Sequence, residues 1–403
     1  MLRKVRPNKL RPSNARPTKA KARPNGKVTP VAALDIGASS VKFCAGTLQG
    51  RSMRVECLTE TPLPADAVRE GAILDPDTVY RAIRATLQSA GVKPKHVWLS
   101  VGGPQTTARP VRLPRMTPEI LQKSIQFEAT RYLPSAAEEH LIGFQILSTA
   151  GEEQMEILLV AAPRSTTDPL LELVEKAGLE PQLLELQPFA ALRTVQAVYQ
   201  DALPYAYALV DLGSEHTQIT VARNATLVLT RFIPIACNTF SAALKGYFNY
   251  TDEEAEQVKH TLNLEELLQT GQPQENPPLR LLQPIIDELI RELRRSLNYY
   301  QSQYPSQGNE RGRIEQLYLY GGGSQMQGVA TYFEHKLSIP TQVVNPFASE
   351  VIVPGGIALE QMESGARWAT VLGTALAPLE MAQPFVEPAH EAEPDAATAT
   401  AAA

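Results

Sequence analysis

Two short stretches of this chain carry side chains whose types and spacing suit anion and metal chemistry. The first is Leu34-Asp35-Ile36-Gly37-Ala38-Ser39-Ser40-Val41-Lys42. A tight turn of small residues after an apolar run lets successive backbone N–H groups point into one concavity, which suits phosphate oxygens. Asp35, at the end of that run, could hold a hydrated Mg2+, an ion that keeps most of its waters. Ser39 and Ser40 add hydroxyl donors, and Lys42 adds a point charge. The plainer alternative is an ordinary hairpin, because Asp and Gly are common turn residues. The second stretch, Leu209-Val210-Asp211-Leu212-Gly213-Ser214-Glu215-His216-Thr217, repeats the arrangement about 175 residues later. Two such turns facing each other could clamp a triphosphate and its metal from both sides. A third, Leu317-Tyr318-Leu319-Tyr320-Gly321-Gly322-Gly323, puts three glycines after a strand. That permits close backbone approach to a flat ligand, the alternative being a flexible loop.

The elements that must position these turns can be read from periodicity. Val31–Ile36 and Val41–Gly46 are strands around the first turn, and Asp77–Ala90 is a helix closed by Gly91. Thr117-Pro118-Glu119 starts a helix, with Thr as cap and Pro in the first turn, and the helix is predicted to run to about Leu133, before Pro134. Strands are predicted at 97–101, 106–113, 141–147, 156–162 and 182–186, with helices at 168–177 and 189–199. At Ala206–Asp211 the opening pattern returns, followed by strands at 218–222 and 227–232, helices over 252–269 and 279–303, a strand at Ile314–Tyr320, another near Thr341–Val344, and a last helix near Arg367–Ala377. Strands then helices, twice over, describe an α/β protein with two similar halves.

Composition sets the outer limits. The length of 403 residues fits two or more domains, and 43% apolar residues can fill sizeable cores. The net charge of -5 is mild, so the chain as a whole does not read as a nucleic-acid binder. Residues 1–27 hold ten Lys or Arg and no acid, and the stretch from about 380 to 403 is Ala-rich and acidic. Both ends read as disordered tails. The basic arm lacks aromatic residues for stacking on bases and suits at most a weak electrostatic contact with an anionic membrane. Cys44, Cys57 and Cys237 show no paired spacing, which argues against a disulfide framework or zinc site and for a reducing compartment. No run of about 20 apolar residues is present to span a bilayer.

The three turns resemble the phosphate-1, phosphate-2 and adenosine motifs of the actin-like ATPase superfamily. Within its FtsA-like branch the chain resembles the PilM family of type IV pilus assembly proteins. The matching stretches are Ala33–Lys42, Ser124–Pro134, Ile157–Ala162, Glu185–Ala191, Val210–Gly213, Arg231–Ala236, Gly321–Gly323 and Val344–Phe347, in family order over nearly all of 30–377. The resemblance implies an actin-like fold with a first half over 28–205, an inserted subdomain at about 97–186, and a second half over 206–379 with a helical subdomain at about 246–313. It implies ATP and Mg2+ as ligands, with Asp35 and Asp211 flanking the metal and Gln187 where the superfamily carries a residue that orients the attacking water. The plainer reading of Gln187 is a polar strand end before Pro188. Gly37, Ser39, Ser40, Lys42, Gly213, Ser214, Thr217, Gly321, Gly322 and Gly323 would contact nucleotide. Glu256 and Lys259, in Ala-Glu-Gln-Val-Lys, would face the nucleoside; three apart on a helix they share a face, and a solvated ion pair is the alternative.

A PilN-like inner-membrane protein is the partner implied, its cytoplasmic N-terminus lying beside the inserted subdomain, which places the chain in the cytoplasm at the inner membrane. Two other classes compete. An FtsA-like filament protein is expected to end in an amphipathic membrane helix, whereas this chain ends in an Ala-rich acidic stretch. A sugar or acetate kinase needs a base to activate a substrate hydroxyl, and no candidate stands out. One departure from the PilM pattern is Glu215-His216 after the second Asp-x-Gly, where small or hydroxyl residues are usual. A carboxylate there opposes phosphate unless it turns away or His216 offsets it, and slow hydrolysis is expected.

Overall fold

The computed structural model describes residues 28–148, 153–269, 275–304 and 312–381. The predicted basic arm, and the predicted tail beyond its first two residues, lie outside the described residues. The first half opens with an antiparallel meander, β1 (Thr29–Ile36), β2 (Ser40–Gln49) and β3 (Ser52–Pro62). A two-residue-stranded hairpin follows, β4 (Val68–Arg69) and β5 (Ala72–Ile73). Helix α1 (Pro76–Ala90) starts on the Asp75 cap and stops at Gly91 in the left-handed region. Next come β6 (His96–Val101), β7 (Thr107–Pro114), α2 (Pro118–Ala129), β8 (His140–Ser148), β9 (Gln154–Pro163), α3 (Arg164–Lys176), β10 (Glu180–Leu186) and α4 (Gln187–Tyr199).

The second half repeats the plan. Strands β11 (Ala206–Leu212), β12 (Thr217–Arg223) and β13 (Thr226–Ile233) form its meander. Helices α5 (Cys237–Phe248), α6 (Asp252–Thr261), α7 (Glu266–Gln269) and α8 (Pro277–Gln303) precede β14 (Gln316–Tyr320), α9 (Val329–Leu337) and β15 (Thr341–Val343). The chain closes with β16 (Ile352–Pro354), α10 (Leu359–Glu363) and α11 (Ala369–Met381). Sheet orders are β10-β6-β1-β2-β3-β16 and β13-β12-β11-β14-β15. In each sheet the first strand of the meander pairs in parallel with a later strand, so Asp35 lies opposite Ser100 and Asp211 opposite Tyr320. Strands β1 and β11 are buried almost throughout, as expected for central strands covered on both faces.

Four expectations need correction. The separate layer, the sheet β7-β9-β8 with its own core of Val111, Leu113, Leu121, Ile125, Ile157 and Leu159, is narrower than 97–186. Strands β6 and β10 instead pair in the main sheet, β6 against β1 and β10 at its edge, where their apolar residues Val97, Leu99, Leu184 and Leu186 join the main core. Helix α2 ends at Ala129, not Leu133: Tyr132 and Leu133 N–H groups both turn back to the Ala129 carbonyl, as the restriction before Pro134 favours. The helix expected over 252–269 breaks after Thr261, where Leu262 and Leu264 bury alternately as an extended segment. Finally, the end of the chain does not stay with the second half. Strand β16 pairs with β3, and Trp368, Val371, Leu372, Ala375 and Leu376 pack on Val31, Ala33, Met53 and Val55 of the first sheet.

Candidate functional site

The turn between β1 and β2 is closed by the Gly37 N–H donating to the Ser40 carbonyl at 2.9 Å. It leaves Asp35 at the end of β1, only 6% exposed. Its Oδ1 accepts from Ser100 Oγ at 2.7 Å and from Gln187 Nε2 at 2.9 Å. Ser100 ends near the tip of β6, and Gln187 opens α4 directly after β10. Three parallel strand ends therefore converge on one carboxylate. Gln187 can reach it only because residue 102 lacks a side chain: a Cβ there would lie 1.8 Å from Gln187 Oε1. Lys42 sits opposite Asp35 in β2 and 3.8 Å from Glu60 Oε1, and Arg367 takes the other Glu60 oxygen. Burial pushes the Glu60 carboxyl up, but Lys42 and Arg367 outweigh it and hold the group below its ordinary value, so it is ionised.

Asp211 ends β11 in the same way, and its carboxyl is pushed up to about 7. Burial is the main cause; Lys42 opposes it and Asp35 adds to it. A divalent cation beside Asp211 would remove the burial penalty on its carboxylate, with Asp35 at the matching strand end as the second oxygen donor. Among the described residues no group of three or more His, Cys, Asp or Glu could hold a metal. The pair suits a hydrated ion that takes few protein ligands. Gly321, at φ 84°, lets the third loop pass Asp211, since a Cβ there would lie 2.1 Å from Asp211 Oδ1.

At the far end of the cleft, Glu256 and Lys259 of α6 pair at 2.6 Å. Lys259 is 7% exposed and lies 3.5 Å from the Cys237 carbonyl, and Ser241 Oγ donates to Glu256. For Lys259 the solvated surface pair is thus the wrong picture. Cys237 itself is held as a neutral thiol, burial raising it to about 11.

A single cleft of about 320 Å3 between the halves collects every sequence-predicted site residue but two. Ser40 is buried in β2, and Thr217 is buried with its hydroxyl donating to the Ile235 carbonyl at 2.7 Å. Neither lines the cleft. His216 does not offset Glu215: burial pushes its ring down to about 4, so it is neutral, set edge-on to Phe232. Glu215 instead turns toward the first half, where its Oε2 accepts from the Glu70 N–H at 2.7 Å. Sequence reasoning missed Glu60, Arg367, Ser100 and Gly102. Only the last two had a signal, the strand-then-glycines pattern of Ser100-Val101-Gly102-Gly103, which repeats that of the third loop.

Comparison with known proteins sets this geometry in context. The family model "Type IV pilus assembly protein PilM" matches residues 33–377. A solved PilM-PilN type IV pilus biogenesis complex contains a chain 26% identical, with TM-score 0.75, covering 88% of this chain and 99% of that one. MreB5 of Spiroplasma citri bound to ADP shares the fold at 15% identity and TM-score 0.50, over 88% of this chain and 97% of that one. Cell division protein FtsA of Bacillus subtilis (strain 168) is 26% identical over 255 residues, 57% of each chain. The match thus spans little more than half the length of that relative.

Proposed function

The chain belongs to the type IV pilus assembly protein PilM family, and on that premise we propose that it is a cytoplasmic component of pilus assembly that holds ATP with Mg2+ in its cleft and binds the N-terminal segment of a PilN-like inner-membrane protein. The observation that carries the reading is the likeness to the PilM-PilN complex over 88% of the chain. Asp35, buried at the end of β1, and Asp211, with its raised carboxyl near the end of β11, support the nucleotide part.

Asp35 and Asp211 would hold the hydrated cation, and the turns at Ala38–Ser39 and Gly213–Ser214 would offer N–H groups to phosphate oxygens. Lys42 would add positive charge, while Gly321–Gly323 and the Glu256/Lys259 pair would face the nucleoside. The nucleotide supplies a phosphoanhydride whose cleavage rests on positioning and electrostatics rather than on covalent chemistry from the protein. Gln187, its amide held by Asp35, is the water-positioning candidate. With the ionised Glu60 and the carboxyl of Glu215 also on the cleft wall, turnover is expected far below the enzyme median of about 10 s-1.

The peptide site is assigned to the β7-β9-β8 layer and its junction with the main sheet, where an extended segment can lie along an edge or groove. Placement at the inner membrane then follows from the partner. Co-purification with a PilN-like partner tests the reading, comparing the full chain with a form lacking 107–163, which spares β6 and β10. Retained capture by the shortened form moves the interface elsewhere. Mass spectrometry of released nucleotide, and calorimetry of Mg-ATP on Asp35→Ala, test the cleft; unchanged affinity in a folded variant removes Asp35 from the site.

A further inference from the structure

Glu215 makes a contact that the nucleotide reading does not use. It sits on the wall of the cleft, in the turn that would hold phosphate, and reaches across to the Glu70 N–H at 2.7 Å, a span of 145 residues in sequence. Glu70 lies in the turn between β4 and β5, in the opposite half. That turn holds the non-glycine residue Glu70 in the left-handed region at φ 51°, and Asp66, just before β4, is there as well at φ 67°. Such residues persist where the surroundings over-determine the backbone, and the Glu215 bond is one of the contacts doing so.

The carboxylate does at this point what a phosphate oxygen would do: it accepts a backbone N–H and brings negative charge to the phosphate-loop end of the cleft. Its neighbour His216 is neutral and provides no counter-charge. The cations lining the cleft stand elsewhere, Lys42 and Arg367 on Glu60 and Lys259 on Glu256, and Arg69, whose field reaches Glu215, is itself bonded to Asp66.

We propose that Glu215 is a specificity-determining residue that weakens the cleft's hold on a nucleoside triphosphate relative to a diphosphate. This rests on the nucleotide reading above. An added phosphate group meets the Glu215 charge and competes with it for donors at that end. A triphosphate therefore binds with Glu215 withdrawn from Glu70, which loosens the β4–β5 hairpin, whereas a diphosphate leaves the Glu215–Glu70 bond in place. The number of phosphates is thereby reported at the surface of the first half.

The test uses the full chain and two variants, with Mg-ADP and Mg-ATP as the probes in calorimetry. Glu215→Gln removes the charge and keeps an acceptor for the Glu70 N–H; Glu215→Ala removes both. Both variants are expected to improve ATP affinity relative to ADP by about tenfold, the effect of one unit charge roughly 6 Å away at an effective dielectric of about 40. ADP affinity serves as the control for an intact fold. Hydrogen exchange over 65–73 gives the second readout. It is expected to rise in nucleotide-free Glu215→Ala but not in Glu215→Gln, and in the parent chain with ATP but not with ADP. An unchanged ATP-to-ADP ratio in both variants overturns the proposal while leaving the nucleotide site standing. Failure of the parent chain to bind either nucleotide overturns both.

Discussion

Replacing Arg193 by Met should expose how tightly the first half is tied to the end of the chain. Arg193 Nη1 and Nη2 donate to Glu185 Oε1 and Oε2 at 2.8 and 2.9 Å, and Nη1 also donates to the Gly373 carbonyl at 2.7 Å. Glu185 is 0% exposed. Without its partner the carboxylate must stay ionised in a dry site or take a proton. Protonating a group with an ordinary value of about 4.3 costs about 4 kcal/mol at pH 7 and about 1 kcal/mol at pH 5. The bared Gly373 carbonyl adds about 1 kcal/mol. The loss should therefore be about 4–5 kcal/mol at pH 7, in line with broken buried pairs elsewhere, and should shrink to about 2 kcal/mol at pH 5. Urea unfolding followed by tryptophan fluorescence is the assay. Both tryptophans, Trp98 and Trp368, pack in the layer that α11 covers, so the signal reports on this region. Adding Glu185→Leu to Arg193→Met should recover much of the loss at pH 7, since no buried charge is then stranded. A loss below about 1 kcal/mol at pH 7, or one that does not shrink on acidification, refutes the reasoning.

Two further outcomes are expected. Asp211 titrates at about 7 in the folded chain, chiefly through burial, and near 3.9 when unfolded. The native state thus binds more protons between those values, and stability falls as pH rises from about 4 to about 7; Asp211→Asn should remove that part of the slope, gaining about 1–3 kcal/mol at pH 8 in metal-free urea unfolding, and parallel profiles for the two proteins would contradict it. Gly102→Ala keeps an ordinary backbone but drives its Cβ into Gln187 Oε1; single-turnover phosphate release should drop about tenfold or more with ADP affinity unchanged, and undiminished release would show that Gln187 does not act there.

What could be read from the sequence was whatever depends on neighbours in the chain. A strand, an Asp-x-Gly turn and a second strand form one hairpin, so Asp35, Gly37, Asp211 and Gly213 fell where their motifs put them. The Glu256/Lys259 pair is equally local. Ser40 and Thr217 misled because they start strands: each follows its turn, yet both are buried, and the Thr217 hydroxyl is already taken by Ile235. Glu60 and Arg367 were invisible for the opposite reason. Their contact joins residues 307 positions apart, and neither stands in a pattern that marks it. The broken helix after Thr261 follows the same logic, tertiary burial of Leu262 and Leu264 winning over helical period. Helix α11 shows how periodicity fails in the core, because an element buried through most of its length presents no polar face to say where it belongs.

The return of that last helix to the first sheet also sets an order of events at the ribosome. Strands β1 to β3 and helix α4 emerge early, yet the last helix that covers one face of their sheet begins only at Ala369, 170 residues beyond the end of α4 at Tyr199. At about 5–20 residues per second, roughly 10–35 s pass before it is made. During that interval Val31, Ala33, Met53 and Val55 have no roof. The early half of the chain is then a client for holding factors, and nascent chains stopped before Ala369 should stay sensitive to protease while the released protein resists it.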